Sequence, residues 1–175
     1  MSGYPLFLNL KGQRCLVFGG GKVAARKIQA LLRRGARVIC VSKDFSQSLK
    51  SLARRSRNLT LRPARRSSKQ SLPIDGARIV IAATSDRDFN SRVTEACRKK
   101  KIWVNVVDDP ELCDFYVPAV LERGPLQIAI STGGASPLFA RRLREELEKV
   151  IPPSTGRLLE KLGEIRGKIL EKKRR

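Results

Sequence analysis

The sequence predicts an α/β fold built on a parallel sheet, followed by a smaller α+β appendage and a helical C-terminal segment. Three observations predict it. Apolar, β-branched runs alternate with segments of helical periodicity from Cys15 to Val107. The first run, Cys15 to Phe18, passes straight into Gly19-Gly-Gly and then into a helical pattern. After Pro110 the alternation stops, and two strand-like runs flank a turn at Arg123-Gly124-Pro125, the signature of an antiparallel hairpin.

The first strand and helix carry the chemistry. Val23, Ala24, Ile28, Leu31 and Leu32 recur at helical spacing behind the glycines. Strand, glycine turn and helix together are the context a dinucleotide-binding loop requires, which makes the sheet Rossmann-like. In Gly19-x-Gly21-x-x-Ala24, Gly19 permits the tight turn. Gly21 lets backbone approach a pyrophosphate, and Ala24 lets the helix pack on the strand. The helix N-terminus then offers free N–H groups to the phosphates. The same letters also serve a plain strand-to-helix turn; their place in a strand–turn–helix near the start of the chain favours the cofactor.

The remaining elements follow in order. Tyr4-Pro-Leu-Phe-Leu-Asn-Leu10 reads as a short edge segment. Arg33 and Arg34 suit a helix C-terminus, and Gly35 the residue just past it. Arg37 to Val41 is the second strand, ending Ser42-Lys43-Asp44. Asp44 lies late for the usual ribose contact, and Lys43 suits a 2′-phosphate, so spacing leaves NAD and NADP both open. Phe45 to Ile74 holds no acidic residue, and Leu59 to Leu61 is a third strand inside it. Ala77 to Thr84 is a fourth strand with a small end, Ala82-Ala83-Thr84, suited to pass beneath a cofactor. Ser85-Asp86 caps a helix whose inner face is Phe89, Val93, Ala96 and Cys97. Ile102 to Val107 is a fifth strand that runs into Asp108-Asp109-Pro110.

Ligands of doubly wound sheets bind beyond the carboxyl ends of the strands. Gly19–Gly21, Ala83–Ser85 and Asn105–Asp109 are therefore expected along one edge. In the appendage, Ser131-Thr-Gly-Gly leads to a helix with Ser136 as N-cap and Pro137 at its first position. Leu158, Leu162, Ile165 and Ile169 form one stripe on a basic terminal helix. The spans are 1–112 for the sheet domain, 113–150 for the small domain and 151–175 for the helical segment.

Composition bounds the rest. The chain has 175 residues, 41% of them hydrophobic, enough for one main core. No run is long enough to span a membrane and no secretory signal is visible, so cytoplasmic residence is the default expectation. Cys15, Cys40, Cys97 and Cys113 match no zinc spacing, and no metal-ligating set is predicted. There is no histidine, so acid–base chemistry falls to Asp, Glu, Lys, Tyr or Cys. The formal charge of +21 favours an anionic partner, either nucleic acid or a phosphate or polycarboxylate ligand.

Beyond the glycine loop, the chain resembles the precorrin-2 dehydrogenase family, often also sirohydrochlorin ferrochelatase, which forms the N-terminal half of siroheme synthases. The resemblance rests on Tyr4-Pro-Leu-Phe-Leu-Asn-Leu, Val17-Phe-Gly-Gly-Gly-Lys-Val-Ala-Ala-Arg-Lys and Ala82-Ala-Thr-Ser-Asp. It continues through Asn105-Val-Val-Asp-Asp-Pro, Asp114-Phe, Val117-Pro-Ala and Gly124-Pro-Leu-Gln-Ile-Ala-Ile-Ser-Thr-Gly-Gly-Ala-Ser-Pro. It implies NAD-dependent oxidation of precorrin-2 to sirohydrochlorin, with Fe²⁺ insertion as a further step in some relatives. It also implies a homodimer, formed through the 113–150 domain. Carried onto matched positions, it makes Asp108 the essential acidic residue. Lys22, Val23, Lys43 and Asp44 become cofactor contacts beside Gly19, Gly21, Ala83 and Thr84. It favours NAD where spacing did not choose. Asn105, Ser131, Thr132 and Gly133 become substrate-side candidates, and a serine the family can phosphorylate falls on Thr132. The competing class is a nucleic-acid-binding or regulatory protein that uses the same fold as a sensor. Its motive is the basic run Lys50 to Lys69 and the terminal Lys172-Lys-Arg-Arg. The absence of an aromatic-rich RNA-binding motif or zinc finger argues against specific nucleic-acid recognition.

Overall fold

Five strands alternate with three helices and hydrogen-bond as one parallel sheet in the order β3-β2-β1-β4-β5. The computed structural model describes residues 3–64 and 72–173. The strands are β1 (Arg14–Phe18), β2 (Arg37–Ser42), β3 (Leu59–Pro63), β4 (Ile79–Ala82) and β5 (Trp103–Val106), and the helices α1 (Lys22–Arg33), α2 (Gln47–Arg55) and α3 (Arg87–Lys99). Parallel strands must be covered on both faces. Their side chains alternate accordingly. Cys15, Val17, Val38, Cys40, Ile79 and Ile81 face one core with Ala24, Ile28 and Leu31 of α1 and Leu49 of α2. Leu16, Phe18, Val80, Ala82, Val104 and Val106 face the other with Val93 and Cys97 of α3. Phe18 meets Phe89 edge-on, ring centres 5.4 Å apart, a favoured aromatic geometry.

This is the predicted α/β class. Asp86 caps α3 by accepting the Phe89 N–H at 2.9 Å. Some expectations are corrected. Residues 4 to 10 form no strand; Leu10 is buried but Tyr4 and Phe7 are exposed. Val23 is exposed, because at the second position of α1 it points away from the sheet. Glu111 and Leu112 lie in a 3₁₀ turn, not a strand, since Pro110 opens that turn. The basic positions Arg65, Arg66 and Lys69 lie outside the described residues, as do Arg174 and Arg175.

The described chain divides into a unit of Pro5–Tyr116 and a unit of Val117–Arg175 with the first residues. The second unit holds the hairpin β6 (Ala119–Arg123) and β7 (Leu126–Ile130), then α4 (Pro137–Val150) and α5 (Ser154–Lys173). Gly124 makes the hairpin turn at φ +55. Arg123 donates to the carbonyls of Ile151 at 3.0 Å and Glu148 at 3.2 Å, satisfying groups the end of α4 leaves open. Ser136 accepts the Phe139 N–H and caps α4, with Pro137 next in line, as the sequence predicts. Among the described residues no helix is long and apolar enough to cross a membrane.

Candidate active site

The carboxyl ends of β1, β2, β4 and β5 form one edge, because Phe18 pairs with Val41 and Ala82, and Ala82 with Val106. The loops that leave this edge hold the candidate residues of the first unit. Gly19 sits at φ +117. A Cβ there would lie 2.2 Å from the Ala83 carbonyl oxygen. The left-handed turn and the close crossing both require glycine. Gly20 lies outside the predicted pattern, yet its Cβ would lie 1.8 Å from the Asp44 carbonyl oxygen and 2.7 Å from Ser42 Oγ. Three bonds hold the loop. Gly19 N–H donates to Val41 at 2.9 Å, Ser46 N–H donates to Gly20 at 2.8 Å, and the Cys40 thiol donates to the Gly19 carbonyl at 3.2 Å.

Gly21 faces open space and is the N-cap of α1, with no side chain capping the helix. The first intrahelical bond runs from Ala25 N–H to the Gly21 carbonyl at 3.1 Å. The N–H groups of Lys22, Val23 and Ala24 therefore have no acceptor within the helix. No acidic residue lies in the first turn. An open glycine, uncapped amides and the positive end of a helix dipole together fit the pyrophosphate of a dinucleotide. Lys43 and Asp44 are exposed at the neighbouring loop after β2.

Ala83 and Thr84 follow β4. Thr84 is fixed from below: its hydroxyl donates to Asn90 Oδ1 at 2.7 Å, and Asn90 Nδ2 donates back to the Thr84 carbonyl at 3.0 Å. Asn90 is buried. Sequence reading missed it, although Asn90, Val93, Thr94 and Cys97 already fall at helical spacing.

Asp108 is exposed and sits at φ +62, a left-handed conformation that aspartate tolerates better than most residues. Its neighbour Asp109 pairs with Arg87 at 3.3 Å. The segment after the 3₁₀ turn then folds back on β5. Asp114 accepts the Val104 N–H at 3.0 Å, and the Cys113 sulfur accepts the Val106 N–H at 3.1 Å. Asn105 is buried, and its Nδ2 donates to the Phe115 carbonyl at 2.9 Å. Lys27 was also missed by sequence reading. Burial holds its ammonium below the ordinary range, and Arg26 adds to this; the fields of Cys113 and Asp108 oppose it.

The first unit therefore gathers Gly19, Gly21, Lys22, Val23, Lys43, Asp44, Ala83, Thr84, Asn105 and Asp108 at one sheet edge. Ser131, Thr132 and Gly133 belong to the second unit. There the Ser131 hydroxyl accepts the Gly133 N–H at 3.2 Å and the Thr132 hydroxyl accepts the Ser136 N–H at 3.1 Å.

Residues 6–119 match the family described as putative NAD(P)-binding, and residues 123–149 the family described as sirohaem biosynthesis protein central. The chain belongs to the NAD(P)-binding family of sirohaem biosynthesis proteins. The siroheme synthase of Nitrosomonas eutropha is 44% identical over 174 residues, 97% of this chain and 35% of that protein. That of Neisseria meningitidis serogroup B is 44% identical over 163 residues, 91% of this chain and 32% of that protein. This sirohaem-family chain thus spans about a third of the length of the curated relatives it matches. A solved structure titled SirC, precorrin-2 dehydrogenase, superposes with a TM-score of 0.71 at 28% identity. The superposition covers 94% of this chain and 79% of that one.

Proposed function

We propose that the chain is an NAD-dependent dehydrogenase that oxidises precorrin-2 to sirohydrochlorin. The observation that carries this reading is the shared edge: an open, uncapped helix start behind Gly21 and an exposed carboxylate, Asp108, on loops from aligned strand ends. The likeness to siroheme synthases and to a structure titled precorrin-2 dehydrogenase supports the substrate.

Backbone N–H groups at Lys22, Val23 and Ala24 would hold the pyrophosphate, and the loop after β2, with Asp44, would meet the adenosine ribose. The nicotinamide supplies the hydride acceptor when bound. Asp108 accepts the proton lost from the macrocycle on one carboxylate oxygen. Its exposure keeps it reachable. The substrate's carboxylates suit a basic surface that offers charge-assisted donors.

The second unit presents Leu138, Phe139, Leu143, Leu158, Leu162, Ile165 and Ile169 as exposed apolar side chains, which supports the reading of a homodimer joined there. A cytoplasmic location is the companion reading. Fe²⁺ would enter as a second substrate, ligated by the macrocycle nitrogens, and the same preparation given sirohydrochlorin and Fe²⁺ tests that step. The deciding experiment supplies purified chain with precorrin-2 and NAD⁺ under anaerobic conditions. NADH and sirohydrochlorin should form together. Absence of turnover with both NAD⁺ and NADP⁺ would overturn the proposal.

A further inference from the structure

The opposite edge of the sheet carries a second basic feature that the dehydrogenase reading does not use. Arg14 and Arg37 are the first residues of β1 and β2, and Arg57 and Asn58 immediately precede β3. With Thr60 they line a cavity of about 320 Å³ whose wall is the start of β2. β1 separates it from the glycine loop by about 16 Å, at roughly 3.3 Å per residue over five residues.

No carboxylate among the described residues pairs with Arg14, Arg37 or Arg57. Arg14 donates through Nη2 to the Pro73 carbonyl at 3.0 Å, while its Nε is buried without a partner among the described residues. Arg37 spends Nε on the Gly12 carbonyl at 2.9 Å, which leaves its terminal nitrogens for other acceptors. Buried donors in folded proteins are nearly always satisfied, so an orphan beside a cavity points to an acceptor that enters it.

We infer that the cavity between the N-terminal ends of β1, β2 and β3 binds a small phosphate-class oxyanion through Arg14, Arg37 and Arg57. Three arginines lining one cavity call for more than one negative charge, which favours a phosphate or pyrophosphate group over a single carboxylate. The Asn58 amide and Thr60 hydroxyl add neutral donors for the further oxygens. The concave shape favours a compact ligand over a nucleic-acid backbone, which needs an extended track.

The test uses the full chain and inorganic pyrophosphate, with acetate and a short single-stranded oligonucleotide as comparisons at matched ionic strength. Side-chain Nε–H resonances of Arg14, Arg37 and Arg57 are followed by NMR. Pyrophosphate should shift all three saturably, and acetate should not. Arg57→Gln, which removes no side-chain hydrogen bond among the described residues, should weaken binding roughly tenfold or more, the loss of one charge-assisted contact. Lys22→Gln, at the other edge, should leave these shifts unchanged. Three results would each overturn the inference: shifts confined to the glycine loop, shifts equal for acetate, or binding by the oligonucleotide alone.

Discussion

A Cβ on Gly20 would lie 1.8 Å from the carbonyl oxygen of Asp44, closer than any real contact. The loops after β1 and β2 are therefore pressed together backbone to backbone, and Ser46 N–H to the Gly20 carbonyl at 2.8 Å locks them. The middle glycine of the three carries the strictest steric demand, although the binding pattern assigns it no role.

Gly20→Ala should destabilise the fold by at least about 1–3 kcal/mol, the usual cost of overpacking, because the obstacle is backbone that cannot rotate away. Gly21→Ala meets open space and should cost no more than about 1 kcal/mol as a poorer N-cap. It should instead weaken dinucleotide binding. Thermal unfolding and an NAD titration on both variants separate the two effects; equal melting temperatures would refute the steric reading.

Asp108→Asn should lower dehydrogenase turnover by about 10²–10⁴, the span expected for loss of a general base. The left-handed φ of +62 adds a structural distinction. Asparagine tolerates that conformation, whereas Asp108→Ala should also lose about 1 kcal/mol of stability. Asp109→Asn loses its pairing with Arg87 and should leave most turnover intact. Near-normal turnover in Asp108→Asn would remove Asp108 from the mechanism.

Asn105→Ala should orphan the Phe115 carbonyl and cost about 1–3 kcal/mol, measured as a lower urea midpoint. This outcome makes Asn105 a brace for the segment behind Asp108. A changed KM with an unaltered midpoint would instead place it against substrate.

Burial pushes the thiols of Cys15 and Cys97 up to about 11 and that of Cys40 up to about 12, from 9.0. Above about pH 9 the unfolded chain releases protons that the native chain retains, so stability is full below that pH and falls as the medium approaches pH 11 to 12. Urea midpoints should decline across this window, and Cys40→Ala should flatten the decline even though it also removes the thiol bond to Gly19. An identical slope in that variant would show that other groups dominate.

Periodicity alone determined much of this protein. The alternation of apolar runs and helical stripes located every strand of the sheet, and Ser136-Pro137 and Asp86 marked their helix starts, because these signals act within one turn or one strand. The edge that gathers Gly19, Thr84 and Asp108 was also legible, since parallel strands joined by helices bring all their carboxyl ends to one side. Tertiary structure alone decided which glycine is sterically required, that Asn90 secures Thr84, that Asn105 reaches Phe115, and that Lys27 is partly buried. Those relationships are polar contacts, burial or close backbone approaches between different elements, and hydrophobic periodicity records none of them.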